Sequence, residues 1–132
     1  MCIRDSNQTY DLLSISEAAL VTSGTATLET ALFKVPQVVC YKGSRISYEI
    51  AKRVIRLKYI SLVNLILDKE AVTELIQTEF SSEKLKKELT AILDPYRRAT
   101  LFLDYYDLEK KLGGKGASDT TAQLIYEALS AT

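Results

Sequence analysis

The apolar pattern of this chain predicts an α/β fold: a parallel sheet with flanking helices, followed by an all-helical C-terminal segment. Three observations carry that prediction. Ala18 to Thr22 is a short apolar run bounded by turn formers, the signature of a buried strand. Pro36 opens a second such run, Pro36-Gln37-Val38-Val39-Cys40-Tyr41, with β-branched residues at its centre. From Ser81 onward, apolar residues recur only at helical spacing.

The elements follow in order. Met1 to Ser6 fits no element and resembles a translated cloning or sequencing adapter, so it is set aside from the fold. Tyr10 to Ile15 suits a short helix, and Thr25 to Phe33 a longer one with Leu28 and Leu32 on one face. A strand, a helix and a strand with such tight connections make a βαβ unit, whose strands run parallel. Ile46 to Leu57 reads as a helix with Ile46, Ile50 and Val54 on its apolar side. Tyr59 to Leu62 reads as extended, the stretch around Asn64 as a loop, and Glu70 to Gln77 as a helix. Ser81 is placed to cap a helix carrying Leu85, Leu89, Ile92 and Leu93. Pro95 to Leu112 gives a further helix, in which Tyr96, Ala99, Leu103 and Tyr106 form a stripe suited to packing. Gly113 to Ser118 is a flexible break, and Asp119 to Leu129 a last helix with Ser118 as its cap. Residues 7–80 thus form the sheet-bearing part and residues 81–132 a helical segment.

Composition narrows the function. At 47% hydrophobic residues, the 132-residue chain can build a globular core. Its 17 basic residues balance 17 acidic ones, so nothing global points to nucleic acid. No apolar run approaches a membrane span. Histidine is absent, which removes the commonest general base. Cys2 and Cys40 have no metal-ligand spacing, and Cys40, in an apolar run, reads as a buried free thiol. No metal or cofactor is expected. Charge is uneven locally, because Lys42, Arg45, Lys52, Arg53, Arg56 and Lys58 face Glu49 alone. Arg45, Lys52 and Arg56 share one helix side, suited to an anionic membrane surface or to solvent.

Chemistry concentrates where the first strand hands over to the first long helix, at Thr22-Ser23-Gly24-Thr25. Amides at a helix start lack partners within the helix and carry the positive end of its dipole. A phosphate or diphosphate satisfies both conditions, Gly24 lets it approach the backbone, and Ser23 and Thr25 add hydroxyl donors. Glu29 lies four residues after Thr25 on the same face, where a carboxylate can accept both hydroxyls of a ribose. The plainer alternative is that Ser23 or Thr22 caps the helix and Glu29 is a solvated acid. Pattern alone favours that alternative, since the stronger glycine-rich phosphate fingerprints are missing.

Resemblance shifts the balance. Ser23-Gly24-Thr25-Ala26-Thr27-Leu28-Glu29 and the run on to Lys42 resemble the donor-site segment of lipid-A-disaccharide synthases, glycosyltransferases with two Rossmann-like domains. Similarity continues through Ala51-Lys52-Arg53, Tyr59 to Leu62, Asn64-Leu65 and Glu74 to Gln77. The chain departs from the family pattern at Val63, Leu67-Asp68 and Thr73, which bears on loop conformation more than on ligand chemistry.

The resemblance implies a partial Rossmann-like sheet in which Ser23, Gly24 and Thr25 hold the diphosphate of a UDP-sugar and Glu29 its ribose. Asn64 matches the donor pocket, and Glu74 and Gln77 match the Glu-Leu-x-Gln positions. It implies inverting transfer of 2,3-diacylglucosamine from UDP to 2,3-diacylglucosamine 1-phosphate. Charge on the departing diphosphate would be stabilised by a helix N-terminus without a metal. It also places the acceptor-binding domain and the candidate general base upstream. The chain is therefore expected to be a C-terminal fragment, inactive alone, with no catalytic residue of its own. Its partners would be UDP-2,3-diacylglucosamine, the lipid acceptor through the missing domain, an anionic membrane surface on the cytoplasmic side, and a second copy through exposed apolar area, but not nucleic acid. Alternatives are another UDP-sugar enzyme, such as a 2-epimerase, and a non-catalytic α/β interaction domain.

Overall fold

The computed structural model describes residues 8–22, 24–44, 58–113 and 116–130. A short helix, α1 (Thr9–Ile15), leads into strand β1 (Ala19–Thr22), helix α2 (Thr25–Leu32) and strand β2 (Gln37–Tyr41). Then come α3 (Leu62–Leu67), β3 (Thr73–Ile76), a 3-10 turn (Gln77–Glu79), and the helices α4 (Ser82–Leu93), α5 (Pro95–Lys111) and α6 (Ala117–Ser130). The strands form one parallel sheet in the order β1-β2-β3, with Thr22 opposite Cys40 and Cys40 opposite Leu75. The α/β class with a helical C-terminal segment is therefore observed.

β2 is the central strand, and Val38 and Val39 are both fully buried, as a strand covered on two faces requires. The core does not end where the sheet ends. Ile92 of α4 and Leu101, Tyr105 and Leu108 of α5 belong to the same apolar cluster as Val38, Val63, Val72 and Leu75. α5 is started by Asp94, whose carboxylate accepts from the amides of Tyr96 and Arg97 at 3.0 and 3.1 Å, with Pro95 in the first turn. Polar contacts then tie α5 down along its length. Arg97 donates to the Ala71 carbonyl (3.1 Å), Lys69 pairs with the buried Asp104 (2.6 Å), and Lys34 pairs with Glu109 (2.6 Å).

One polar contact is incomplete. Gln37 is fully buried and donates to the Thr27 carbonyl at 2.9 Å, but its Oε1 and the Tyr105 hydroxyl have no hydrogen-bond partner among the described residues. Burial pushes the Tyr105 hydroxyl up to about 12.

Several sequence expectations are corrected. Residues Glu70–Gln77 do not form a helix; Thr73–Ile76 is the strand β3, paired to β2. The free edge of β2 supplies a row of hydrogen bonds that outweighs local helical spacing. Tyr59 to Leu62 is not a strand, and Asn64 lies inside α3 rather than in a loop. Ser61 caps that helix, its hydroxyl accepting from the Asn64 amide, and Asp68 ends it in the left-handed conformation. α2 buries Thr27, Thr30 and Ala31, whereas Leu28 is half-buried and Leu32 exposed. The threonine hydroxyls bond to the backbone one turn back, so Thr27 and Thr30 can enter the core with their polar atoms satisfied. On α5 the buried face is Leu101, Asp104, Tyr105 and Leu108, and the Tyr96, Leu103 and Tyr106 stripe is exposed, which agrees with a stripe whose packing partner lies outside these residues. α6 begins at Ala117, so Ser118 sits within its first turn.

Other expectations agree. Ser81 caps α4, accepting from the Lys84 amide at 3.3 Å. Cys40 is a free, buried thiol whose pKa burial raises. The adapter-like Met1 to Ser6 and the helix expected over Ile46 to Leu57 lie outside the described residues. No helix among the described residues is long and apolar enough to cross a membrane.

Candidate functional site

Because the strands are parallel and in register, β1, β2 and β3 end along one edge of the sheet. Gly24 follows β1 there, Lys42 follows β2, and Gln77 follows β3. Ligands of open parallel sheets collect at this carboxyl edge, because helix starts converge on it.

Gly24 adopts φ 128° and ψ −162°, a conformation open to glycine and strained for any residue with a side chain. It is the N-cap of α2 and, as a glycine, supplies no capping side chain of its own. Among the described residues beyond its neighbours, none lies within 4 Å of where a Cβ would stand. Of the expected phosphate-binding group, Gly24 and the exposed Thr25 therefore stand at the helix start. Ser23 lies outside the described residues.

Glu29 sits on α2 and is half-buried. Its Oε1 accepts from the Tyr10 hydroxyl at 3.3 Å, a long hydrogen bond between exposed groups. The Tyr10 ring stacks on Phe33, with centroids 5.4 Å apart and planes at 12°, and this holds α1 beside α2.

Asn64 and Glu74 are in a different situation, because the fold brings them together. Asn64 is fully buried; its Nδ2 donates to the Val72 carbonyl and to Glu74 Oε1, both at 2.8 Å, and its Oδ1 accepts from the Val72 amide at 2.9 Å. Glu74 in turn accepts from the Ile60 amide (2.9 Å), the Ser61 amide (2.9 Å) and the Ser61 hydroxyl (2.8 Å). A carboxylate bonded to this many donors is stabilised without a cationic partner. The network staples the start of α3 to β3, and both amide hydrogens of Asn64 are used within the protein. Ser61 is a member that the sequence reading did not single out; its position just before the α3 run was the available signal.

Gln77 is the remaining candidate. It lies at the end of β3 with φ 52°, in the left-handed region, and its Nε2 is buried without a hydrogen-bond partner among the described residues. Among the described residues, no group of His, Cys, Asp or Glu side chains is arranged to hold a metal ion.

Comparison with known proteins draws on nearly all of these residues. The lipid-A-disaccharide synthetase family profile matches residues 2–127. The lipid-A-disaccharide synthase of Syntrophus aciditrophicus is 43% identical over 115 residues, which are 86% of this chain and 30% of that protein. That of Geobacter metallireducens is 35% identical over 124 residues, covering 93% of this chain and 32% of that protein. That of Nitrosococcus oceani is 38% identical over 124 residues, with the same two shares. The chain thus spans about a third of the length of the curated relatives it matches. With a match running through the sheet, the α2 start and the helices beyond it, the chain belongs to the lipid-A-disaccharide synthetase family.

Proposed function

We propose that this chain supplies the UDP-sugar donor site of a lipid-A-disaccharide synthase. In the complete reaction, 2,3-diacylglucosamine leaves UDP and joins the 6-hydroxyl of 2,3-diacylglucosamine 1-phosphate, giving the lipid A disaccharide and UDP. The acceptor and the proton-accepting base would be contributed by chain outside these residues, and the lipid substrates place the enzyme at a membrane surface on the cytoplasmic side.

The observation that carries this proposal is the start of α2: a glycine N-cap at φ 128°, with none of the described residues beyond its neighbours within 4 Å of where a Cβ would stand, at the carboxyl edge of a parallel sheet. A diphosphate there would take its hydrogen bonds from backbone amides, which need no reorganisation as negative charge builds on the leaving group. Ser23 and Thr25 would add hydroxyl donors, and Glu29 would accept from the ribose.

Titration of the 132-residue chain with UDP, followed by calorimetry and by melting temperature, tests this directly. UDP is expected to bind and to raise the melting temperature. Glu29→Ala is expected to weaken UDP roughly tenfold, the size of one hydrogen bond to a charged group, with melting almost unchanged. A chain that UDP neither binds nor stabilises would overturn the proposal.

A further inference from the structure

The central strand β2 is apolar and buried from Val38 to Cys40, yet its first residue, Gln37, is a carboxamide with no exposure to solvent. Its Nε2 donates to the Thr27 carbonyl at 2.9 Å, whereas its Oε1 has no partner among the described residues. A buried carboxamide with an unfilled acceptor is costly, and a methionine would fill the same volume without that cost. What an apolar side chain lacks is direction. Apolar contact lets a helix slide along a sheet, but a hydrogen bond of this length fixes where the carbonyl stands. The carbonyl in question belongs to the first turn of α2, a helix whose apolar hold is slight, since its buried residues are Thr27, Thr30 and Ala31. Thr27 carries the connection onward, because its amide and its hydroxyl both donate to the Gly24 carbonyl, at 3.2 and 2.7 Å. Hydrogen bonds thus link the central strand through Thr27 to the glycine at the helix start.

We propose that Gln37 is a positioning residue for the diphosphate site: by holding the Thr27 carbonyl it sets the axial position of α2, and so where the amides of Gly24 to Ala26 meet the ligand. This rests on the donor-site reading above. Gln37 does not touch the ligand. It acts on the free protein, keeping the first turn of α2 in the geometry an anion requires, so that binding need not order it. Amides at a helix start act together only when they converge on the same oxygens, and a displacement of about 1 Å is enough to weaken them.

The test compares the wild-type 132-residue chain with Gln37→Met and Thr27→Val by UDP titration, thermal melting and amide hydrogen exchange. Methionine keeps the length and bulk of Gln37 and removes both its donor and its unfilled acceptor, so melting is expected to stay close to that of wild type. UDP affinity is expected to fall about fivefold, since the first turn must then be ordered on binding. In the free protein the Thr27 amide is expected to exchange roughly threefold faster, while Val38 and Val39 keep their rates. Thr27→Val removes only the hydroxyl bond to Gly24, in a side chain of the same shape, and is expected to lose about threefold in affinity. It keeps the proposal falsifiable should the methionine variant not fold. If wild type binds UDP and Gln37→Met binds it within about twofold, or in its place Thr27→Val does, the role of Gln37 fails and the donor-site reading stands. Faster exchange shared by Thr27, Val38 and Val39, with a lower melting temperature, makes Gln37 a support of the whole sheet and equally overturns the proposal. If wild type does not bind UDP, the donor-site reading itself fails and takes the role of Gln37 with it.

Discussion

Glu74 and Glu29 belong to adjoining parts of one sheet-and-helix layer, yet the fold treats them in opposite ways. Glu74, on β3, accepts from two backbone amides, a hydroxyl and a carboxamide, all between 2.8 and 2.9 Å. Glu29, on α2, has, among the described residues, a single 3.3 Å side-chain hydrogen bond from an exposed tyrosine. The α3–β3 unit spends its polar groups on holding itself together. At the start of α2, by contrast, the described groups are Gly24, which has no side chain to commit, and a lightly held acid. A carboxylate in the first setting acts on stability, and one in the second can act on a ligand.

The largest expected effect lies on the committed side. Glu74→Ala removes the acceptor from the Ile60 and Ser61 amides, the Ser61 hydroxyl and one Asn64 hydrogen at once. Buried donors without acceptors should cost about 3 kcal/mol, read as a fall in the urea midpoint. A loss below about 1 kcal/mol would mean that water reaches these donors and that Glu74 is far less committed than its geometry says.

Tyr105 extends the same contrast to pH. Its hydroxyl is buried against Gln37 and pushed up to about 12, above the usual tyrosine value near 10. The folded state therefore holds that proton more tightly than the unfolded chain. The associated stability is complete below pH 10 and is lost as pH rises to about 12, because unfolding then releases a proton. Two pH units correspond to about 2.7 kcal/mol. Alkaline unfolding should begin above pH 10, and Tyr105→Phe should flatten that limb while leaving UDP binding intact. An unchanged alkaline limb would show that other groups set it.

The contrast between the two regions also marks what the sequence could reveal. β1, α2 and β2 are local objects: each apolar run is bounded by hydroxyls, glycine or proline, and each forms within a residue or so of its expected place. Gly24 was legible for the same reason, since only its own dihedral and its neighbours matter. β3 was not. Ala71, Val72, Leu75 and Ile76 have helical spacing, and what makes them extended is the hydrogen-bonding edge of β2, more than thirty residues earlier in the chain. Asn64 lies in a stretch whose local pattern is ambiguous and suggests a loop. Its side chain instead bonds the backbone of Val72, a partner that no local window contains. The outward turn of Tyr96 and Tyr106 follows similarly from α5, whose neighbouring stripe carries the residues that fit the sheet.

The smallest effect is the sharpest test of the lightly held acid. Tyr10→Phe deletes the one hydrogen bond Glu29 receives and keeps the ring that stacks on Phe33. The bond is long and both partners are accessible, so water replaces it at a cost of under about 0.5 kcal/mol. If Glu29 is free to meet a ribose, UDP affinity should stay within about twofold of wild type, because the carboxylate then gains its partners from the ligand. A tenfold loss with unchanged stability would assign Tyr10 the task of aiming Glu29, making the acid a prepared group like Glu74 rather than an uncommitted one. A tenfold gain would mean that Tyr10 competes with the ribose and must be displaced on binding, and the two carboxylates would then differ in strength of commitment rather than in kind.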